Sequence, residues 1–323
     1  MAEPLKATFF AFNRREQSGV LLRLSIAFVL AALVLVAIFG ALFWSSLGPL
    51  VEWYGQVVQA SLNNDTAAIE AAGIPPNFFS VLGGILLWMF PFYILCAAFE
   101  AGCLRWLIHG EVKGVMGLSL GAPTWRVWGV YWLWLLLNIA FSLALGVVFG
   151  ALTGVILVSS GGDPTAAASV QPVSTLIQYA LMAYFAVRLA PAAAATIARR
   201  RFSFFQAWAV TKGRFWTLFG SFAILYVLYF IASIILAGAA FAIVLGPNAP
   251  DLAAAANDPQ QLTAALVQAV QSYFRSLANP QNWIAIGVLQ TVSTVIALIF
   301  YIAMYGINAR AAQAAIAEGK IEA

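Results

Sequence analysis

Residues 22–46 read LRLSIAFVLAALVLVAIFGALFWSS. Beyond Arg23 the stretch carries no charge. A spanning helix needs roughly 20 mostly apolar residues. A helix also satisfies its own backbone hydrogen bonds where no water can. The segment is longer than the roughly 7–15 apolar residues of a cleavable signal, and no A-x-A-like site follows, so it reads as a signal anchor. Five similar stretches follow, at about 78–104, 127–158, 172–198, 215–246 and 281–306. The expected fold is all-α: a polytopic membrane protein of six transmembrane helices, with residues 1–323 as one integral membrane domain.

The composition agrees. The chain is 63% hydrophobic and 9% charged, with a mean hydropathy of +0.91. Ordinary globular chains are about 25% charged, so a soluble domain is excluded. Lys and Arg near the ends of spans set orientation. Lys6, Arg14, Arg15 and Arg23 precede the first span. Arg105, Lys113 and Arg126 lie between the second and third. Arg199, Arg200, Arg201, Lys212 and Arg214 lie between the fourth and fifth, and Arg310 and Lys320 follow the sixth. The alternate loops, about 47–77, 159–171 and 247–280, hold only Arg275. Both termini are therefore expected in the cytoplasm. The sequence pI of about 9.2 reflects this bias. Basic residues beside a membrane ordinarily meet anionic lipid headgroups, which argues against a nucleic-acid partner.

Amphipathic interfacial segments join the spans. Leu5, Phe9 and Phe12 share one helical face near the N-terminus. Phe202, Phe205, Trp208 and Ala209 do so within 199–214, where Ser203 suits a helix cap. Residues 105–126 are similar but interrupted by Gly114, Gly117 and Gly121. A shorter outer helix is expected within 51–72, ended by Gly73 and Pro75-Pro76. Another is expected at about 259–277, started by Asp258-Pro259-Gln260-Gln261. A weak repeat of helix pairs also runs through the chain. At an offset of 88, Trp125-Arg126-Val127-Trp128 falls on Gly213-Arg214-Phe215-Trp216, and Glu100 falls on Arg188. At 208, Glu100 falls on Asn308. Chance matching of apolar text is the competing explanation.

Few residues suggest chemistry. Arg188 sits roughly 16 Å below Arg199 along a helix axis, and Glu100 lies near the end of the second span. Ionisable residues in spans face a partner or a wet cavity. Glu100 and Arg188 are therefore read as a binding or proton site, as a buried pair that sets helix register, or, for Arg188, as a side chain snorkelling to the headgroups. Asn138 and Asn308 fit the same polar layer, or bond between spans. Gly146, Gly150 and Gly154 form a small-xxx-small pattern for close helix packing, read as internal before intermolecular. Pro91 and Pro191 are expected to kink their helices. Cys96 and Cys103 lie about 10 Å apart along one helix, too far for a disulfide. His109 is the single histidine and reads as an interfacial residue. No metal or cofactor motif is present.

Arg188-Leu189-Ala190-Pro191, Phe205-Gln206-Ala207-Trp208 and Lys212-Gly213-Arg214-Phe215-Trp216 carry a family resemblance. With this layout of paired spans, the chain resembles bacterial six-span membrane proteins of unknown function. These include the YciC-like proteins and the membrane domain of some glycerophosphodiester phosphodiesterases. The resemblance implies a bacterial inner-membrane protein. The catalytic barrel of those phosphodiesterases is absent, so their hydrolase activity does not transfer. The expected function is non-enzymatic: a scaffold or accessory subunit that meets lipids and a membrane-protein partner or a second copy. The alternative is a transporter or permease for a small molecule or lipid, using Glu100 and Arg188.

Overall fold

The computed structural model describes residues 4–13, 19–62, 65–75, 77–162, 164–245, 254, 261, 265 and 283–322. Among them the chain is all-α, apart from an isolated bridge between Val115 and Leu118. Two short N-terminal helices, α1 (Pro4–Thr8) and α2 (Phe10–Asn13), precede α3 (Val20–Leu62). Then come α4 (Thr66–Ala72), α5 (Phe78–His109), α6 (Ala122–Ser159), α7 (Pro164–Leu189) and α8 (Ala192–Ala198). A 3₁₀ turn at Phe204–Gln206 leads into α9 (Ala207–Thr211), α10 (Phe215–Leu245) and α11 (Trp283–Ala317). Six helices are long and apolar enough to cross a membrane: Val20–Phe43, Phe78–His109, Ala122–Ser159, Pro172–Ala198, Phe215–Ala240 and Trp283–Ala317. The expected outer helix at about 259–277, and Arg275 with it, lies outside the described residues.

Several boundaries depart from the sequence reading. α3 continues past residue 46 and through Pro49 to Leu62. A proline removes one backbone donor, and apolar helices absorb that loss. The expected helix within 51–72 is thereby reduced to α4. Asp65 caps it by accepting from the Ala68 N–H at 2.9 Å, and Gly73 ends it at a positive φ of +54, which glycine adopts without steric cost. Pro91 lies inside a continuous α5. Pro191, by contrast, breaks its helix: α7 ends at Leu189 and Pro191 stands at the start of α8. α8, AAAATIA, is buried along its whole length. Small side chains allow this close packing, and hydrophobicity alone does not reveal it.

Contacts divide the chain into two compact units, and every boundary between them falls inside a helix. One unit comprises Leu30–Phe92 and Leu225–Tyr301. In it the Phe39 and Trp88 rings lie 5.6 Å apart, joining α3 to α5. Phe300 meets Tyr229 at 4.5 Å and Tyr226 at 5.2 Å, joining α11 to α10.

The other unit comprises Met1–Val29, Tyr93–Ile224 and Ile302–Ala323. It holds all the basic segments named above. Its N-terminal helices are packed in, not merely laid on a surface. Ala7, Thr8 and Ala11 are buried, while Leu5, Phe9 and Phe12 stay exposed. The Thr8 hydroxyl donates to Pro4 O and Ser221 O, and the Ser221 hydroxyl donates to Pro4 O. Gly306 makes the fit possible, since a Cβ there would stand 2.8 Å from the Ala11 Cβ. Gly306→Val should therefore expel α2 and draw the adjoining end of α1 out with it. With Cys96 and Cys103 replaced by serine, a cysteine at Thr8 should resist maleimide, and adding Gly306→Val should raise its labelling rate roughly ten-fold or more. An unchanged rate would show that the close approach is unimportant.

The 110–121 loop is built around Gly117, whose φ of +101 excludes other residues and whose missing side chain admits Leu24. Arg105 reaches this loop. It donates to Gly117 O at 3.1 Å and to Ala101 O at 3.2 Å, and is 4% exposed. The charge pattern suggests a loop cation facing headgroups. The structure buries it instead, because α5 runs on to His109.

Candidate functional site

The four polar residues expected to form one layer do not share one site: Glu100 and Arg188 have different partners, and only Asn138 comes near Arg188, through Trp208. Glu100 on α5 is buried and accepts a hydrogen bond from the Tyr131 hydroxyl on α6 at 2.5 Å. Aromatic rings surround its neighbours. Phe99 meets Phe28 of α3 at 4.6 Å and Tyr305 of α11 at 6.0 Å, and Tyr131 meets Tyr93 at 6.3 Å. Asn308 is also buried, and its Oδ1 accepts from no donor among the described residues.

Arg188 makes no ion pair with Glu100, so the expected buried pair is absent. Its guanidinium carbon lies 5.3 Å from the Tyr184 ring centre, 5.2 Å from Trp208 and 5.2 Å from Phe215. Its Nη1 donates to Thr211 O and Thr211 Oγ1, both at 3.3 Å. The cation thus clasps α7, α9 and the start of α10. A guanidinium suits this role because its planar face stacks on rings while its edge donates hydrogen bonds. The cage residues are all legible as aromatics near helix ends. Their convergence on Arg188 depends on the break at Pro191, which folds the connector back.

Trp208 also lines an apolar groove of about 300 Å³ with Trp134, Asn138, Phe141, Phe185 and Phe205. Asn138 therefore comes to the same neighbourhood as Arg188. Its amide is occupied, donating to Trp134 O at 2.8 Å. The groove suits hydrocarbon more than a polar substrate.

The 199–214 connector differs from the expected amphipathic helix. Ser203 makes no side-chain cap. Its hydroxyl accepts from Arg199 Nη1, and its N–H donates to Thr196 Oγ1. Phe202, Phe205 and Trp208 remain exposed, while Phe204, Ala207 and Val210 are buried. Carboxylates meet most of its cations. Arg200 pairs with Glu111 at 2.6 Å, Arg201 with Glu322 at 2.8 Å, Arg199 with Glu322 at 3.5 Å, and Arg214 with Glu318. Lys113 and Arg200 hold the Glu111 carboxyl below its ordinary range, and Lys320 and Arg214 do the same for Glu318. Exposed pairs of this kind contribute little individually. Lys212 is exposed. His109 bonds through Nε2 to Ile197 O at 3.1 Å, linking the ends of α5 and α8.

Gly146, Gly150 and Gly154 do not pack as expected. A Cβ at any of them would meet nothing within 4 Å, so this face of α6 is open among the described residues. Cys96 and Cys103 are free thiols. No cluster of three or more His, Cys, Asp or Glu able to hold a metal occurs among the described residues. Against protein-family models, curated proteins and solved structures, the chain gives no match.

Proposed function

We propose that this chain is a non-enzymatic protein of a bacterial inner membrane, a scaffold or accessory subunit of a membrane assembly with both termini in the cytoplasm. The observation that carries this reading is the use made of Arg188. A transport site built on Glu100 and Arg188 needs those groups free for a substrate to reach and exchange with. Arg188 is instead committed to three rings and Thr211. Glu100 is likewise taken by Tyr131. The open glycine face of α6 supports a partner helix, because small residues let backbones approach closely in lipid. The charge asymmetry of the loops supports the orientation, and the resemblance to bacterial six-span proteins supports the compartment.

Two cysteine experiments test this, each with Cys96 and Cys103 replaced by serine. For orientation, an impermeant maleimide in the periplasm should label a cysteine at Glu70 and not one at Lys113. The reverse pattern overturns the topology. For the partner, a photocrosslinker on a cysteine at Gly150 should give a discrete protein adduct in native membranes, either a second copy or another membrane protein. Lipid adducts alone at 146, 150 and 154 would sink the scaffold reading.

A further inference from the structure

A cleft of about 420 Å³ opens where α1 meets the start of α10 and the C-terminal end of α11. Arg214, Arg310 and Lys320 line it, with Glu318 the one acid in its lining. Its remaining walls are mostly small or apolar, including Ala7, Leu218, Ile307 and Ala311. Charge is partly balanced inside it. Arg214 and Lys320 both pair with Glu318, the latter at 2.9 Å, and Lys320 also donates to Lys212 O at 2.9 Å. Arg310 makes no ion pair among the described residues. Its guanidinium is exposed and lies 5.5 Å from the Phe10 ring centre, which holds it at the mouth. Three cations against one carboxylate leave the cleft positive. Leu5, Phe9 and Phe12 of the adjoining N-terminal helices present exposed apolar side chains.

We infer that this cleft binds the phosphate oxyanion of an anionic phospholipid, with Arg310 and Lys320 on the phosphate and the small apolar walls beside the glycerol. Guanidinium and ammonium groups are the usual partners of phosphate, the first by a planar fork and the second as a point charge. This differs from diffuse attraction of a basic surface to anionic headgroups, because Arg310 has no ion pair among the described residues and lines a walled cleft, whereas Arg199, Arg200 and Arg201 meet carboxylates. The inference does not rest on the scaffold reading. It requires only that the chain sits in a membrane.

The test is a lipid titration of the full-length protein in non-ionic detergent, read by native mass spectrometry. Phosphatidylglycerol, phosphatidylethanolamine and inorganic phosphate serve as probes. Wild type should bind phosphatidylglycerol more tightly than phosphatidylethanolamine. Each cation near a membrane surface contributes about a five-fold change in affinity. Arg310→Gln with Lys320→Gln should therefore weaken phosphatidylglycerol binding roughly thirty-fold, while Arg310→Lys keeps most of it. Arg201→Gln removes the same charge outside the cleft and should change little. Competition by millimolar inorganic phosphate would support the oxyanion site and assign it to soluble phosphate, whereas failure to compete would assign it to lipid. Unchanged affinity in the double variant, with a monodisperse, folded protein, overturns the site. So does an equal loss in Arg201→Gln.

Discussion

Arg188→Ala should destabilise the protein by about 2–4 kcal/mol, a large effect for one partly exposed side chain. Each cation–π contact is worth about 0.5–2 kcal/mol according to its desolvation, and a hydrogen bond from a charged donor about 1.5–3 kcal/mol. Arg188 makes three of the first and shares Nη1 between two acceptors on Thr211. The contacts share one group, so their sum is an upper bound. Arg188→Lys should recover less than half of the loss, because an ammonium cannot stack as a plane. The loosening should be local to the connector. A cysteine at the buried Val210, protected in the parent protein, should become reactive in Arg188→Ala. Urea titration in detergent measures the first effect and maleimide labelling the second. If Arg188→Ala keeps full stability and leaves Val210 protected, the clasp is not structural, and a transport role for Arg188 becomes the better reading.

The second large effect concerns Glu100. Tyr131→Phe should destabilise by about 2–3 kcal/mol, because it removes the hydroxyl that serves a buried carboxyl group. Glu100→Gln should cost less, about 1 kcal/mol, since the amide oxygen can still accept from Tyr131. Tyr131→Phe combined with Glu100→Leu should regain most of the loss, since neither side then buries an unmet polar group. The cycle of single and double variants should give a coupling of at least about 1 kcal/mol. Additive losses would show that the two groups act independently and that the short contact carries no stability.

These predictions concern residues of unequal legibility. Glu100 and Arg188 stand out in the sequence because charges within apolar stretches are conspicuous and expensive. Their partners do not stand out. Tyr131 is one aromatic among many in Trp125–Trp134, and nothing in its spacing marks it for Glu100, 31 residues away. An offset of 88 aligns Glu100 with Arg188 and invites a pair, yet each charge finds its partners elsewhere. Arg105 shows the converse. By position it belongs with the loop cations, yet it is more deeply buried than Arg188 because α5 extends to His109 and the Gly117 turn offers it a carbonyl. The cation cleft is similar. Arg214, Arg310 and Lys320 are visible as charges beside spans, but the cleft they line depends on how α1 seats against Ser221 and α2 against Gly306.

The chain by itself determined that it is helical, with six segments long and apolar enough to cross a membrane. Long uncharged apolar runs have few ways to satisfy a backbone in lipid, and the helix does so within each segment. Tertiary structure alone decided which polar groups meet. Hydropathy averages over a window and carries no rotational phase when a helix is apolar on every face. The partners of Glu100, Arg188 and Arg105 were therefore set by packing: by the break at Pro191, the buried alanines of α8 and the glycines that let α2 and Leu24 approach.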